Sequence, residues 1–378
     1  MNAGPNHPSA LFRWRPTFSL QTMMFATLVF GIVVCWQVDR TRKQRDAVAW
    51  VRRLGGEVTY DCPRESPIGD YQQGWLQEQL GIDFFYNVVN VSMHDAKAST
   101  LAPLEQLTAV EELNLCNVPV SDVSPLAGMK RMKSLLLSGT SVSDVSPLAG
   151  MTGLELLDLS GTPVSDVSAL RGLTRLEGLA LKGTFVSDVA PLADMSNLEA
   201  LDLGGTLVAD ISPLAGLEKL NSLNISDTSV SDLSPLTGMK EMWDLNLSNT
   251  KVANLSPISR LTSIEKLEVQ KTLIADISPL RSMTKIYLLD VSDTCISDLS
   301  ALAQLAQVEQ LCIQNTHVSD LSSLARMRKL QKVDLRGTAV SELSALTTLR
   351  DVQIVLEPLQ QVNVPSELEQ RIKRRTPD

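Results

Sequence analysis

Apolar residues return along the chain with a period of 22. Val88, Val110, Met132, Leu154, Leu176, Leu198, Leu220, Met242, Ile264, Ile286, Val308, Leu330 and Val352 keep that interval without a slip. The unit around each reads L-x-x-L-x-L-x-x-T-x-V-S-D-V-S-P-L-x-x-L. Two of its leucines stand two apart, as Leu157 and Leu159 do. Side chains on a strand alternate between faces, so this pair predicts a short strand with both leucines pointing inward. Strands repeated every 22 residues predict a parallel sheet with neighbours about 4.8 Å apart, and twelve units extend roughly 58 Å along the axis. No single unit can bury its own apolar face, so stacking is what closes the core.

The rest of the unit turns the chain. Just past each strand stands Gly139, Gly161, Gly183, Gly205, Asp227, Asn249, Asp293, Asn315 or Gly337. These types tolerate positive φ, which a sharp exit from a strand requires. Lys271 breaks that rule and is expected to mark a locally irregular unit. A column of threonines from Thr140 to Thr338 follows, placed to bond buried backbone groups at the bend, though a hydroxyl has fewer donors than an amide. The Ser-Pro step predicts a serine N-cap, proline at the first helical position, and a short 3₁₀ or α turn on the outer face. Aspartates from Asp122 to Asp320 stand two residues before the serine, as in an Asx turn. A calcium ladder is the competing reading. It fails on stoichiometry, because one carboxylate per unit does not supply the six to eight oxygens calcium takes.

Ahead of the repeats the pattern changes. Residues 1–17 form a leader, and residues 18–38 (FSLQTMMFATLVFGIVVCWQV) are mostly apolar. About 20 such residues cross a bilayer as a helix, and Trp14 and Trp36 fit the interfacial belt. The segment is therefore a membrane anchor. A cleaved signal peptide is the rival, but no small-x-small cleavage site follows the apolar run. Arg13 and Arg15 flank one side, against Arg40, Arg42, Lys43 and Arg45 on the other. The strict positive-inside count puts the repeats in the cytoplasm, the usual dominance of leading charges puts them outside, and the sequence leaves both open. Residues 39–87 form a helical and β N-terminal cap. Ala47, Trp50, Val51 and Leu54 lie on one helix face, Gly55-Gly56 stops the helix, Val58 and Tyr60 alternate as a strand, 63–74 is loop and 75–80 a short helix. The repeats occupy 88–356 and a tail 357–378.

Composition narrows the function. The net charge is -9, and residues 1–87 hold nine Lys/Arg and eight Asp/Glu, so the remainder carries -10. A nucleic-acid binder needs a basic stripe, so none is expected as partner. Five cysteines form no C-x-x-C pair, and His7, His94 and His317 are the only histidines. There is no phosphate-binding glycine loop and no metal-ligand spacing, so neither a cofactor nor enzymatic activity is expected.

The period and the motif L-x-x-L-x-L-S-x-T-x-V-S-D-V-S-P-L-A-G-L resemble the 22-residue repeats of internalins and related bacterial leucine-rich-repeat proteins. The resemblance covers about 70% of the chain, since repeats of this kind are recognised by fixed period. The leader, with RDAVAWVRRLGGEVTYD and WLQEQLGIDFFYNVVNVSM, is similar to membrane-anchored internalin-like proteins. It implies an α/β-type solenoid with parallel strands on one face and short 3₁₀ or α turns on the other, after a single transmembrane helix and a small cap. Two features depart from the pattern. Threonine stands where internalins have asparagine, and RIKRRTPD holds no cell-wall sorting motif.

A fold alone names no function, so the surface must. The expected role is a membrane-anchored, non-enzymatic module that binds a protein or peptide along its strand face. A structural or glycan-associated envelope component is the alternative. Of 16 aromatics only Phe185, Trp243 and Tyr287 lie in the repeats. Trp243 and Tyr287 are two repeats apart in one column, about 10 Å on strand spacing. Aromatics beside charges typify binding hot spots, which makes Trp243, Tyr287, Asp244, Lys266, Glu268 and Asp290 the candidate partner-binding residues. Packing of both rings along the sheet edge is the competing reading.

Overall fold

The computed structural model describes residues 20–62 and 79–374. The leader 1–17 with Trp14 and His7, the start of the apolar run at Phe18, and the loop and most of the short helix expected over 63–80 lie outside the described residues, as do the last four residues.

The fold is one 15-stranded sheet whose strands follow chain order. They are β1 (Glu57–Tyr60), β2 (Val88–Ser92), β3 (Glu112–Asn114), β4 (Ser134–Leu136), β5 (Leu156–Asp158), β6 (Gly178–Ala180), β7 (Ala200–Asp202) and β8 (Ser222–Asn224), followed by β9 (Asp244–Asn246), β10 (Lys266–Glu268), β11 (Leu288–Asp290), β12 (Gln310–Cys312), β13 (Lys332–Asp334), β14 (Gln353–Leu356) and β15 (Ile372–Arg374). From β2 onward every pair is parallel, and equivalent leucines stand side by side, as Leu201 does with Leu223. Register slips once, where Val333 pairs with Ile354, 21 residues on. The last unit is one residue short between Val352 and its strand.

Each strand buries its central residue, and the apolar residues of all units merge into one cluster running from Ala47 to Leu368. Full burial of a leucine contributes roughly 1.5–3 kcal/mol, and here nearly all of that is shared with the two neighbouring units. The outer face is built of 3₁₀ turns such as Ser146–Gly150 and Ser212–Gly216. The serine is not the N-cap that its sequence position suggests. It is the first residue of the turn, and its amide is the donor needing a partner. Asp144 Oδ1 accepts the Ser146 amide at 2.8 Å, and Asp210 does the same for Ser212. The Asx turn therefore does the capping.

All ten threonines of the column donate to the carbonyl three residues back, Thr206 to Leu203 at 2.6 Å and Thr250 to Leu247 at 2.6 Å among them. With its single donor spent inside its own unit, threonine makes no ladder between units. The expected irregularity at Lys271 is absent. Its φ is 55°, like Asn249 at 54° and Asp293 at 54°, and its amide donates to Ser292 as the Asn249 amide does to Gln270. Neighbours on both sides impose the turn, and Lys271 bears a conformation that costs a non-glycine residue about 1 kcal/mol or more.

At the N-terminal end, anchor segment and cap helix are one element, α1 (Leu20–Arg53). Its first half exposes Met24, Phe25, Leu28, Phe30 and Ile32. Residues 20–38 span about 28 Å at 1.5 Å per residue, and among the described residues this is the one helix long and apolar enough to cross a membrane. Its second half buries Thr41, Gln44, Ala47, Val48 and Val51 against the first repeat, with Trp50 and Leu54 partly covered. Gly55, at φ 82°, ends the helix. β1 then pairs antiparallel with β2 and, with α2 (Ile82–Phe85), closes that end. Gln44 Nε2 donates to the Tyr86 carbonyl at 2.8 Å and the Tyr60 hydroxyl to Asp83 at 2.9 Å. At the other end, the residues assigned to a tail form a 3₁₀ turn (Ser366–Arg371), bury Leu368, and add β15 to the sheet.

Candidate binding surface on the strand face

Alternation sets this surface. In each strand the middle residue is buried, while the first and third face outward, so every unit presents two strand side chains and the one just before them. Ala200 is exposed beside Leu201, only 2% exposed.

The third position is partly structural. Asp158, Asp202, Asn224, Asn246 and Asp290 each accept the amide two residues on, at 2.8 to 3.0 Å. They end the strand while leaving part of the side chain for solvent or a partner. Some also bond across the sheet, as Asn224 Nδ2 does with Asp202 Oδ1 at 2.9 Å. The first position has no such duty, and it varies most: Glu112, Ser134, Leu156, Gly178, Ala200, Ser222, Asp244, Lys266.

Between Leu156 and Lys266 the face sinks into a depression of about 320 Å³. Ala180, Ala200 and Ser222 line it with small side chains, and Asp202, Asn224, Asp244, Asn246 and Lys266 line it with polar ones. Leu156, 42% exposed, leans over Gly178, where an added Cβ would lie 2.7 Å from Leu156 Cδ1. The glycine is what lets that leucine lie flat.

Of the candidate residues, the structure brings Asp244, Lys266 and Glu268 together. Lys266 Nζ sits 2.6 Å from Glu268 Oε1 and 3.6 Å from Asp244 Oδ1. The hydrogen bond to Glu268 holds the lysine pKa above its usual value, with both carboxylates adding to it. Asp244 is raised by burial, which outweighs the nearby ammonium. Asp290 is raised by burial too, against the opposing bonds from Ser292. Trp243 is 42% exposed and donates from Nε1 to Asn221 Oδ1 at 3.1 Å. Tyr287 is half-buried in the same column, and Glu265 between them bonds both through the backbone ladder. Glu268, Asp290, Trp243 and Tyr287 lie beside the depression and do not line it. Sequence reasoning looked for aromatics and charges and missed Leu156, Gly178, Ala180, Ala200 and Ser222. Their signal was in the columns, as a run of small residues at one position over consecutive units. Among the described residues no cluster of three metal-ligating side chains forms.

No protein-family model and no curated protein sequence matches the chain. Solved structures do. An internalin, InlF of Listeria monocytogenes, matches with a TM-score of 0.72 and 24% identity, over 77% of this chain and 88% of that one. A leucine-rich-repeat protein of Leptospira interrogans matches at 0.58 and 16% identity, over 67% and 74%. The plant peptide hormone receptor RGFR1, in complex with RGF2, matches at 0.59 and 16% identity, over 68% and 50%. The fold is that of a leucine-rich-repeat solenoid, similar to the internalins.

Proposed function

We propose that this leucine-rich-repeat chain is a single-pass, membrane-anchored module that binds a protein or peptide along its strand face and performs no catalysis of its own. The observation that carries the reading is the open strand face itself. Many outward side chains there serve no structural purpose, and they surround a depression on a frame held rigid by its neighbours. The same architecture in RGFR1 is solved in complex with RGF2, which supports a peptide or protein ligand. Trp243, Tyr287, Asp244, Lys266, Glu268 and Asp290 are assigned to partner contact, and Leu156, Ala200 and Ser222 join them. The apolar half of α1 supplies the anchor, and because the helix runs unbroken into the cap, the array begins at the membrane with no flexible linker.

A photo-crosslinking amino acid at Ser222 should capture a discrete partner in intact cells, and the same group at Thr237 on the outer face should not. Capture from Thr237 alone would overturn the strand-face assignment. Deleting residues 18–38 should release the protein from membranes, and a variant that still sediments with them would overturn the anchor.

A further inference from the structure

We propose that the segment occupying the depression is an extended, cationic peptide. The inference rests on the reading of the strand face as a binding surface and goes further by naming the chemistry of what binds.

Charge on this face is not spread evenly. Over β5–β10 the residues just before the strands include Glu155, Glu177, Glu199 and Glu265, and the strands themselves carry Asp158, Asp202, Asp244 and Glu268. Counting the outward residue two past each strand as well, only Lys182 and Lys266 oppose these eight. The same positions over β2–β4 carry Glu111 and Glu112 against Lys133, and over β11–β13 Asp290, Glu309 and Asp334 against Lys332 and Arg336. The net is therefore -6 in the middle and -1 on either side. Lys266 is already committed to Glu268 and Asp244. Glu155, Glu177, Glu199 and Asp202 have no ion-pair partner among the described residues. The three glutamates stand in one column on adjacent units, because the Glu177 amide donates to the Glu155 carbonyl and the Glu199 amide to the Glu177 carbonyl. Like charges one strand spacing apart repel, and a cation between them removes that cost.

Geometry selects a peptide over a single ion. The depression reaches from Leu156 to Lys266, five strand spacings or about 24 Å, the length of roughly seven extended residues. Ala180, Ala200 and Ser222 leave room for a backbone to approach, and Leu156 offers an apolar shelf at one end. At the other end Trp243 places an exposed indole next to Asp244, and an indole face attracts ammonium and guanidinium groups.

The test uses the full chain in a non-ionic detergent at physiological salt, with fluorescently labelled heptapeptides read by anisotropy. A peptide alternating lysine with alanine should bind, and one alternating glutamate with alanine should not. Glu177→Gln combined with Asp202→Asn should weaken the lysine peptide about tenfold, as removal of facing charges does. Asp188→Asn combined with Asp210→Asn removes equal charge from the outer face. It should leave turns intact, since Asn254 already accepts the Ser256 amide at 2.9 Å in that column, and change binding by less than about twofold. Equal losses from the two pairs would mean general attraction to an acidic protein and would overturn the proposal. Failure of the lysine peptide while Ser222 still crosslinks a partner would overturn the cationic assignment and leave the strand-face reading standing. Failure of both would overturn the two together.

Discussion

Aspartate does two different jobs on the two faces of this solenoid. On the outer face each member of the column has the same partner, the amide two residues on, from Asp122 with Ser124 to Asp320 with Ser322. The serine amide is the largest cause lowering the pKa of Asp144, Asp166, Asp298 and Asp320, and the serine hydroxyl the largest for Asp122 and Asp232. On the strand face Asp244 and Asp290 move the other way, because burial there disfavours charge. The outer column is constant because a local turn demands it. The strand face varies because nothing local does, and a surface free to vary is where a partner can be chosen.

The contrast between inside and outside of one strand is the sharpest to test. Leu201→Asp should cost about 3–5 kcal/mol, an unpaired charge in the array interior, and the loss should spread into adjoining units. Ala200→Asp, one residue away, should be mild. Denaturant unfolding of both variants checks this, and equal losses would mean that the strand phase is wrong.

Within the strand face, Trp243→Ala and Tyr287→Ala should each weaken partner binding by about tenfold, the scale of a hot-spot aromatic, with the melting temperature nearly unchanged. A drop in melting temperature with unaltered binding per folded molecule would assign the rings to packing at the sheet edge. The exit turns offer a smaller gain. Lys271→Gly should raise stability by roughly 0.5–1 kcal/mol, since glycine meets φ 55° without strain, and an unchanged or lower unfolding midpoint would contradict that.

The smallest effect separates the two aspartate sets by pH. The outer aspartates have lowered pKa values in the fold, so their contribution is present above the ordinary carboxylate pKa and is lost as pH falls through the folded value. Asp290 is raised, so its charge weakens the fold at neutral pH, and protonation relieves that cost as pH falls through its folded value. Asp290→Asn should hold or improve stability at neutral pH and remove this relief. Asp210→Asn should leave the neutral-pH midpoint unchanged, because asparagine keeps the amide acceptor, whereas Asp210→Ala should lower it. Urea midpoints measured from neutral pH down to about pH 3, below the ordinary Asp value near 3.9, read both.

Much of the architecture was legible because it is written locally and repeated. The period located every strand from β2 to β13, alternation told Leu201 from Ala200, and the Asp-x-Ser spacing announced the Asx turn. The serine was misplaced by one step. Sequence shows an N-cap type before proline, but only the backbone shows which amide needs the partner. Lys271 misled for a different reason, as residue preference is weak against neighbours that already fix the turn. The candidate site was half legible. Asp244, Lys266 and Glu268 were found as charges, while Leu156, Gly178, Ala180, Ala200 and Ser222 carry no chemistry of their own and matter only as a shape.

The sequence by itself determined the solenoid, its inward and outward faces, and an apolar helix of bilayer length ahead of it, since each follows from a period, an alternation or a run along the chain. Only the tertiary structure decided how the ends are closed, by β1 pairing antiparallel with β2 and by β15 extending the sheet, and that the apolar run continues unbroken into the cap helix. It also decided where the strand face sinks. A depression exists only once side chains 22 residues apart are stacked side by side, so that Leu156 lies over Gly178 and the small residues of the next units stand together.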